Sequence, residues 1–231
     1  MFAACGRGDS SSSATEVDCN QARVPATLFD EPARALGDSE PDSLIPDAPA
    51  FSAYNVPTKW RVFIDGDTRF YLGGEPPQLL MASIREHNGK WEHQNSGGCT
   101  AFVHPTDGQT AIWGVPGGTV ASDTTEFTAT VTDSECASGV SAEQRVNEPK
   151  VVETETSIVV TFTAKRPPND ANNCPSHPPA TRAVKLKAPI GDRTLLDGAV
   201  FPAQPPCDTE ARPSGDGSRS YCNQLARFGP F

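Results

Sequence analysis

The side chains able to do chemistry in this chain are seven cysteines, four histidines and a scatter of carboxylates, and their spacing decides which chemistry is open to them. Cys5, Cys19, Cys99, Cys136, Cys174, Cys207 and Cys222 include no Cys-x-x-Cys pair, and no pair of them sits at zinc-ligand spacing with histidines, so no structural zinc site is predicted. Disulfides are the alternative, and they persist outside the cytosol. His87, His93, His104 and His177 lie on separate segments, without the paired histidines of a helix-borne zinc hydrolase. No Gly-x-Ser-x-Gly elbow offers a nucleophile. Asp65, Asp67 and Glu75 are acidic neighbours that lack the full loop pattern of an EF-hand and read as part of a charged hairpin turn. Gly191-Asp192-Arg193 with Asp197 reads as an Arg–Asp brace between neighbouring strands. Trp60, Trp91 and Trp113 read as core rather than as stacking platforms for a sugar. No catalytic set, metal or cofactor is predicted from these residues, and the chain is expected not to be an enzyme.

An odd number of cysteines leaves one that must differ from the rest. Met1-Phe2-Ala3-Ala4-Cys5 resembles the end of a bacterial lipobox, with Phe2 where leucine is usual, and it reads as a truncated export signal. Cleavage before Cys5 would make it the diacylglycerol-bearing first residue, a lipid anchor in the membrane; an ordinary free cysteine is the alternative. Residues 6–16, with Ser10 to Ser13, have the composition of a flexible tether. Six cysteines then remain, and sequence alone does not choose among their pairings. Neighbourhood favours Cys136 with Cys174, closing a loop worth ~4 kcal/mol in the chain-entropy model, and Cys207 with Cys222, worth ~3 kcal/mol. Cys19 and Cys99 are left to tie the N-terminal segment to the first β region.

Stepping from these residues to the elements that carry them, the formal net charge of −10 argues against nucleic acid, which requires clustered Lys and Arg. Lys165 and Arg166 stand by themselves before a proline loop, and Lys185 and Lys187 alternate along a strand. No stretch approaches the roughly 18 apolar residues of a membrane-spanning helix, so the folded body is expected to be soluble. Pro32, followed by Ala33-Arg34-Ala35-Leu36 and Gly37, predicts one short helix. Residues 38–50 read as a surface loop. Asp65-Gly66 predicts a turn between Trp60–Ile64 and Thr68–Leu72. Asn88-Gly89 predicts another, setting Arg85 against Glu92 as a cross-strand pair and sending His87 and His93 to opposite faces. Phe127, Ala129 and Val131 alternate with polar residues, as do Ile158, Val160, Phe162 and Ala164. Strands also follow at 183–188, 194–196 and 199–201. The fold class is all-β: two small β regions, the second an immunoglobulin-like sandwich, with a short N-terminal helix and disulfides. The expected organisation is tether, helix and linker over 1–50, a β region over 51–118, the sandwich over 119–203, and a disulfide-closed tail over 204–231.

Cys136-Ala137-Ser138-Gly139, Cys174-Pro175 and Gly191-Asp192-Arg193, in this order, resemble a group of uncharacterised secreted proteins and lipoproteins of actinobacteria. The likeness covers roughly residues 124–202 and, more faintly, Trp60 to Cys99, while Ser176-His177 departs from the small residues usual after Cys-Pro. It implies export and supports the Cys136–Cys174 bridge, and it implies no activity. The expected function is an exported envelope lipoprotein acting as a non-catalytic binding module for an envelope protein or a glycan. A structural or assembly subunit of an extracellular complex is the alternative. An extracellular hydrolase comes third, to be revived by a polar pocket in which a histidine and a carboxylate come within hydrogen-bond reach.

Overall fold

The computed structural model describes residues 15–19, 22–46, 48, 51, 54–76, 78–133, 140–166, 178–210 and 222. Cys5, Cys136 and Cys174, and with them the proposed anchor and the Cys136–Cys174 bridge, lie outside the described residues. In chain order the strands are β1 (Glu16–Cys19), β2 (Ala22–Pro25), β3 (Arg34–Ala35), β4 (Lys59–Asp65), β5 (Thr68–Glu75), β6 (Gln78–His87), β7 (Lys90–Cys99) and β8 (Phe102–Val103). They continue with β9 (Gln109–Val115), β10 (Glu126–Asp133), β11 (Lys150–Glu153), β12 (Ser157–Ala164), β13 (Ala180–Lys185), β14 (Thr194–Asp197) and β15 (Cys207–Asp208). The one α-helix among the described residues, α1 (Ala142–Arg145), is capped by Ser141, whose hydroxyl accepts from the Glu143 N–H. The fold is all-β.

Three sheets form, in the orders β2-β1-β8, β3-β4-β5-β6-β7 and β11-β12-β9-β10-β13. In the five-stranded sheet Asn88 and Gly89 take φ of 52° and 73°, the left-handed pair that a tight hairpin demands, and Arg85 stands opposite Glu92. The Arg85 guanidinium nevertheless turns the other way, across to Asp67, where Nε donates to Oδ2 at 2.9 Å. That carboxylate is available because the preceding hairpin turns at Gly66-Asp67 rather than at Asp65-Gly66. Asp65 is itself paired with Thr68, and Gly66 supplies the positive φ as the first loop residue. Asp67 and Glu75 therefore sit at opposite ends of β5, Glu75 accepting from Arg61, so no acidic cluster forms. Between Ser83 and Ile84 the register of β6 with β7 shifts, leaving Gln94 as an extra residue in a bulge.

The helix expected at residues 33–36 is absent. Arg34 and Ala35 instead pair with Trp60 and Lys59, and the Arg34 guanidinium donates to Asp42 at 2.6 Å. Asp42 also accepts from the Gly37 N–H at 3.0 Å and the Tyr71 hydroxyl at 2.8 Å, so tertiary partners hold this segment extended against its local helical preference. The segment 38–50, expected to be a surface loop, carries core residues. Ile45 and Ala48 are buried and, with Phe51, cover one face of the sheet over Trp60, Tyr71, Leu80, Ala82 and Ile84. The opposite face, through Leu72, Leu79 and Met81, packs on Val17, Val24 and Leu28 of the N-terminal strands and the 3-10 turn that follows them. A disulfide joins Cys19 to Cys99 across this layer.

In the seven-stranded sheet the side chains of β12 alternate as the sequence predicts, with Ile158, Val160, Phe162 and Ala164 fully buried. They pack with Trp113, Ala129, Val131 and Val184 into one core. Trp113 and Val115, grouped by sequence with the first β region, lie on β9 at the centre of this sheet, between β12 and β10. Strand β9 leaves β12 after Ala111, and the gap is filled by two parallel partners: β14 along Ser157–Val160 and β15 along Gly114–Val115. Residues 199–201 contribute a single bridge, Val200 to Phe102, rather than a last strand. A second disulfide, Cys207–Cys222, closes the end of β15. These crosslinks indicate an oxidising, extracellular environment. No helix among the described residues is long and apolar enough to cross a membrane.

Candidate functional site

A polar cleft opens where the N-terminal sheet meets the start of β9 and the end of β12. Its inner lobe, of about 150 Å³, is lined by Asp18, Phe102, His104, Gln109, Ile112 and Arg166 among others. The outer lobe, of about 350 Å³, shares His104, Pro105, Gly108 and Arg166 and adds Thr106, Asp107, Asn147 and Lys165.

Each wall is built by a separate piece of backbone. Strand β8 pairs with β1, Val103 opposite Val17 and Phe102 opposite Asp18, and the ladder extends one step through the His104 N–H to Glu16 O at 2.8 Å. This register brings the His104 ring to Asp18 across a sequence separation of 86, with Nδ1 to Oδ2 at 2.6 Å. An ionised carboxylate only accepts, so Nδ1 carries the proton, and Nε2 is an acceptor in the neutral form of the ring and a donor in the protonated one. His104 is the more enclosed partner, its side chain 18% exposed against 41% for Asp18, which also takes a longer 3.4 Å contact from Arg23 Nε.

The loop after His104 is held against the end of β12. Gly108 has φ +79°, and a Cβ there would lie 2.4 Å from Ala164 O, so glycine is required at this approach. Gly108 O in turn accepts from Arg166 Nε at 3.1 Å. This contact fixes the plane of the guanidinium and leaves its two Nη groups without acceptors among the described residues. On the far side, α1 zips onto β12 through the Val146–Ala164 bridge, through the Lys165 N–H to Arg145 O at 2.9 Å, and through Asn147, whose Nδ2 donates to Thr163 Oγ1 at 3.0 Å. Asn147 and Lys165 thereby reach the rim.

The floor is a buried polar group. Gln109, 4% exposed, donates from Nε2 to Asp133 Oδ1 at 2.9 Å, and Asp133 Oδ2 accepts from Arg145 Nη2. Gln109 Oε1 is left without a hydrogen-bond partner. The remaining hydroxyl of the inner lobe, Thr110 Oγ1, is spent on Val103 O at 3.0 Å. The cleft thus offers a forked cation, an ammonium, an imidazole acceptor, a carboxylate acceptor and an amide. The His104–Asp18 pair has the geometry of a general base, but no serine or cysteine among the described residues lines the cleft.

The other residues singled out by sequence are placed elsewhere. His87 pairs with Lys90 at the hairpin tip and His93 with Ile84, on opposite faces by register. No group of three His, Cys, Asp or Glu among the described residues is arranged to hold a metal ion. Arg193 does form a brace, but with Glu153 rather than an aspartate: Nη1 to Oε2 is 2.8 Å, and Nη2 reaches Ala188 O and Pro189 O. Asp197 is separate and fully buried, because the chain turns inward between β14 and Ala199. Trp60 and Trp113 are core, whereas Trp91 is partly exposed beneath Arg69, whose guanidinium carbon lies 4.7 Å from the ring centre.

In the sequence His104 is one of four scattered histidines, and Lys165 and Arg166 are lone charges before a proline loop. One signal for the site was available, since joining Cys19 to Cys99 carries Asp18 to the neighbourhood of His104. In comparisons with known proteins, the chain matches no protein-family model, no curated protein and no solved structure.

Proposed function

We propose that this protein is an exported, non-catalytic binding module of the cell envelope, tethered to the membrane through a lipid on Cys5, and that the cleft around His104 and Arg166 is its binding site. The β scaffold, with an immunoglobulin-like second region, serves to hold the cleft walls. The single observation that carries this reading is the Arg166 guanidinium at the mouth of a polar cleft, oriented by Gly108 O and with no other acceptor among the described residues. In a chain of net charge −10, Lys165 and Arg166 bring two cations to one concavity, which supports an anionic ligand.

A glycan and peptide array probed with the intact chain, and with Thr106→Trp to fill the outer lobe, tests the reading. Binding that the tryptophan removes supports the cleft as the site; binding that it leaves unchanged refutes it. Mass spectrometry of the native N-terminus tests the tether, and an unmodified Cys5 would remove it.

The His104–Asp18 pair favours a second reading, an extracellular hydrolase that activates water. Turnover of an array ligand that His104→Gln abolishes without weakening its binding would select this reading.

A further inference from the structure

We propose that the ligand of this cleft is an acidic sugar, its carboxylate held by Arg166 and Lys165 and its hydroxyls by Asp107, Asn147 and His104; this rests on the cleft being the binding site. The orientation of Arg166 comes first. With Nε committed to Gly108 O, the two Nη groups form a fork that matches a planar two-oxygen anion, and the guanidinium is already positioned before the ligand arrives. Lys165, on the adjoining residue, adds a point charge on the same rim.

The remaining lining decides what the anion must be attached to. Asp107 lines the outer lobe beside these cations, and no described residue donates to its carboxylate. A bare phosphate would bring one or two negative charges and few donors to that carboxylate and be repelled by it, whereas the hydroxyls of a sugar are uncharged donors to it. His104 Nε2 and the unpartnered Gln109 Oε1 are further acceptors, so the cleft asks its ligand for several donors as well as an anion. A peptide terminus brings a carboxylate and few donors, followed by a side chain that seeks apolar walls. The outer lobe has Thr106, Asp107, Asn147, Lys165 and Arg166 around it, and Pro105 is its one apolar side chain among the described residues. A polyhydroxylated carboxylate meets both demands.

Calorimetric titration of the full chain tests this with four probes: oligogalacturonate, its carboxyl-reduced neutral counterpart, free glucuronate and an acetylated dipeptide, with inorganic phosphate as a fifth titrant. The acidic sugars are expected to bind and the neutral oligosaccharide to bind at least about tenfold more weakly. Free glucuronate binding as well as the oligomer would identify a sugar-acid receptor rather than a glycan binder, still within the proposal. Arg166→Gln should weaken the acidic sugars about tenfold, with Arg166→Lys recovering part of the loss. Asp107→Asn is the discriminating variant: it should weaken the acidic sugars severalfold while strengthening phosphate or a peptide carboxylate. Both positions are exposed, and unchanged thermal melting would confirm that the variants fold.

Equal binding of the neutral oligosaccharide, tighter binding of the dipeptide, or no acidic-sugar binding at millimolar concentration would overturn the proposal. If Thr106→Trp abolishes array binding while Arg166→Gln leaves it intact, the ligand class alone is wrong. If Thr106→Trp changes nothing, the cleft reading itself has failed.

Discussion

Replacing Asp197 by asparagine should remove a pH dependence that burial writes into the stability of the seven-stranded sheet. The Asp197 side chain is fully enclosed; Oδ1 accepts from the Ala199 N–H at 2.8 Å, and Oδ2 has no hydrogen-bond partner. Burial pushes the carboxyl up to about 7 from 3.8, against the Ala199 N–H and the N–H groups of Trp113, which favour the ionised form. In the unfolded chain the group ionises near 3.8, so from there up to about 7 the folded state holds the proton more tightly than the unfolded state does. Stability from this group is therefore complete below the lower value and is lost as pH rises through the upper one. A separation of about 3 units corresponds to about 4 kcal/mol.

The assay is urea unfolding followed by tryptophan fluorescence at several pH values from about 4 to about 8, for wild type and Asp197→Asn. The variant keeps an acceptor for Ala199 and cannot ionise. Any fixed cost of its amide cancels when the difference is followed across pH, as do the contributions of every other titrating group. The variant should gain about 4 kcal/mol relative to wild type between the two ends of the range. A difference that stays constant with pH would refute the assignment of an uncompensated buried carboxyl to this position.

Three further outcomes are expected. Removing the Cys19–Cys99 bridge as the double alanine variant should destabilise by ~4 to 5 kcal/mol, against ~3 kcal/mol for the Cys207–Cys222 bridge, because the loops span 80 and 15 residues. Chemical denaturation of both variants would show this, and equal losses would count against a chain-entropy origin. Asp133→Ala takes away the carboxylate that faces the buried Arg145 and should cost about 3–5 kcal/mol, with a parallel loss of cleft binding as Gln109 is released. Gly108→Ala introduces a side chain at φ +79° with its Cβ 2.4 Å from Ala164 O, and should cost about 1–3 kcal/mol from the backbone alone. Its larger signature is weakened ligand binding through the displaced Arg166, measured by calorimetry beside thermal melting.

The parts of the fold legible in the sequence are those set by nearest neighbours. The alternation of Ile158, Val160, Phe162 and Ala164 specifies one buried face, and Asn88-Gly89 specifies both its turn and the register of the hairpin around it. Long-range competition hides the rest. Pro32 to Gly37 has local helical character, but Arg34 gains Asp42 and a ladder with Trp60, partners that no local window contains. Strand β9 follows the first region in sequence, yet its hydrogen bonds go to β10 and β12, where Trp113 is buried in a core that includes Phe127 and Phe162. Parallel partners such as β14 and β15 leave no turn signal between paired segments. The cleft is the extreme case: Asp18, His104, Asn147 and Arg166 come from four segments, and residue type alone marks none of them.

Strand β7 pairs on one side only among the described residues, which puts it at the edge of its sheet, where another strand could be added. The extra Gln94 breaks the regular spacing midway along it, and Lys90, Glu92 and His93 place polar side chains on the half beyond that break. An incoming segment would find amides at the wrong spacing and charges to desolvate. The same irregularity that spoils the register with β6 thus lets many copies crowd together without knitting into fibrils.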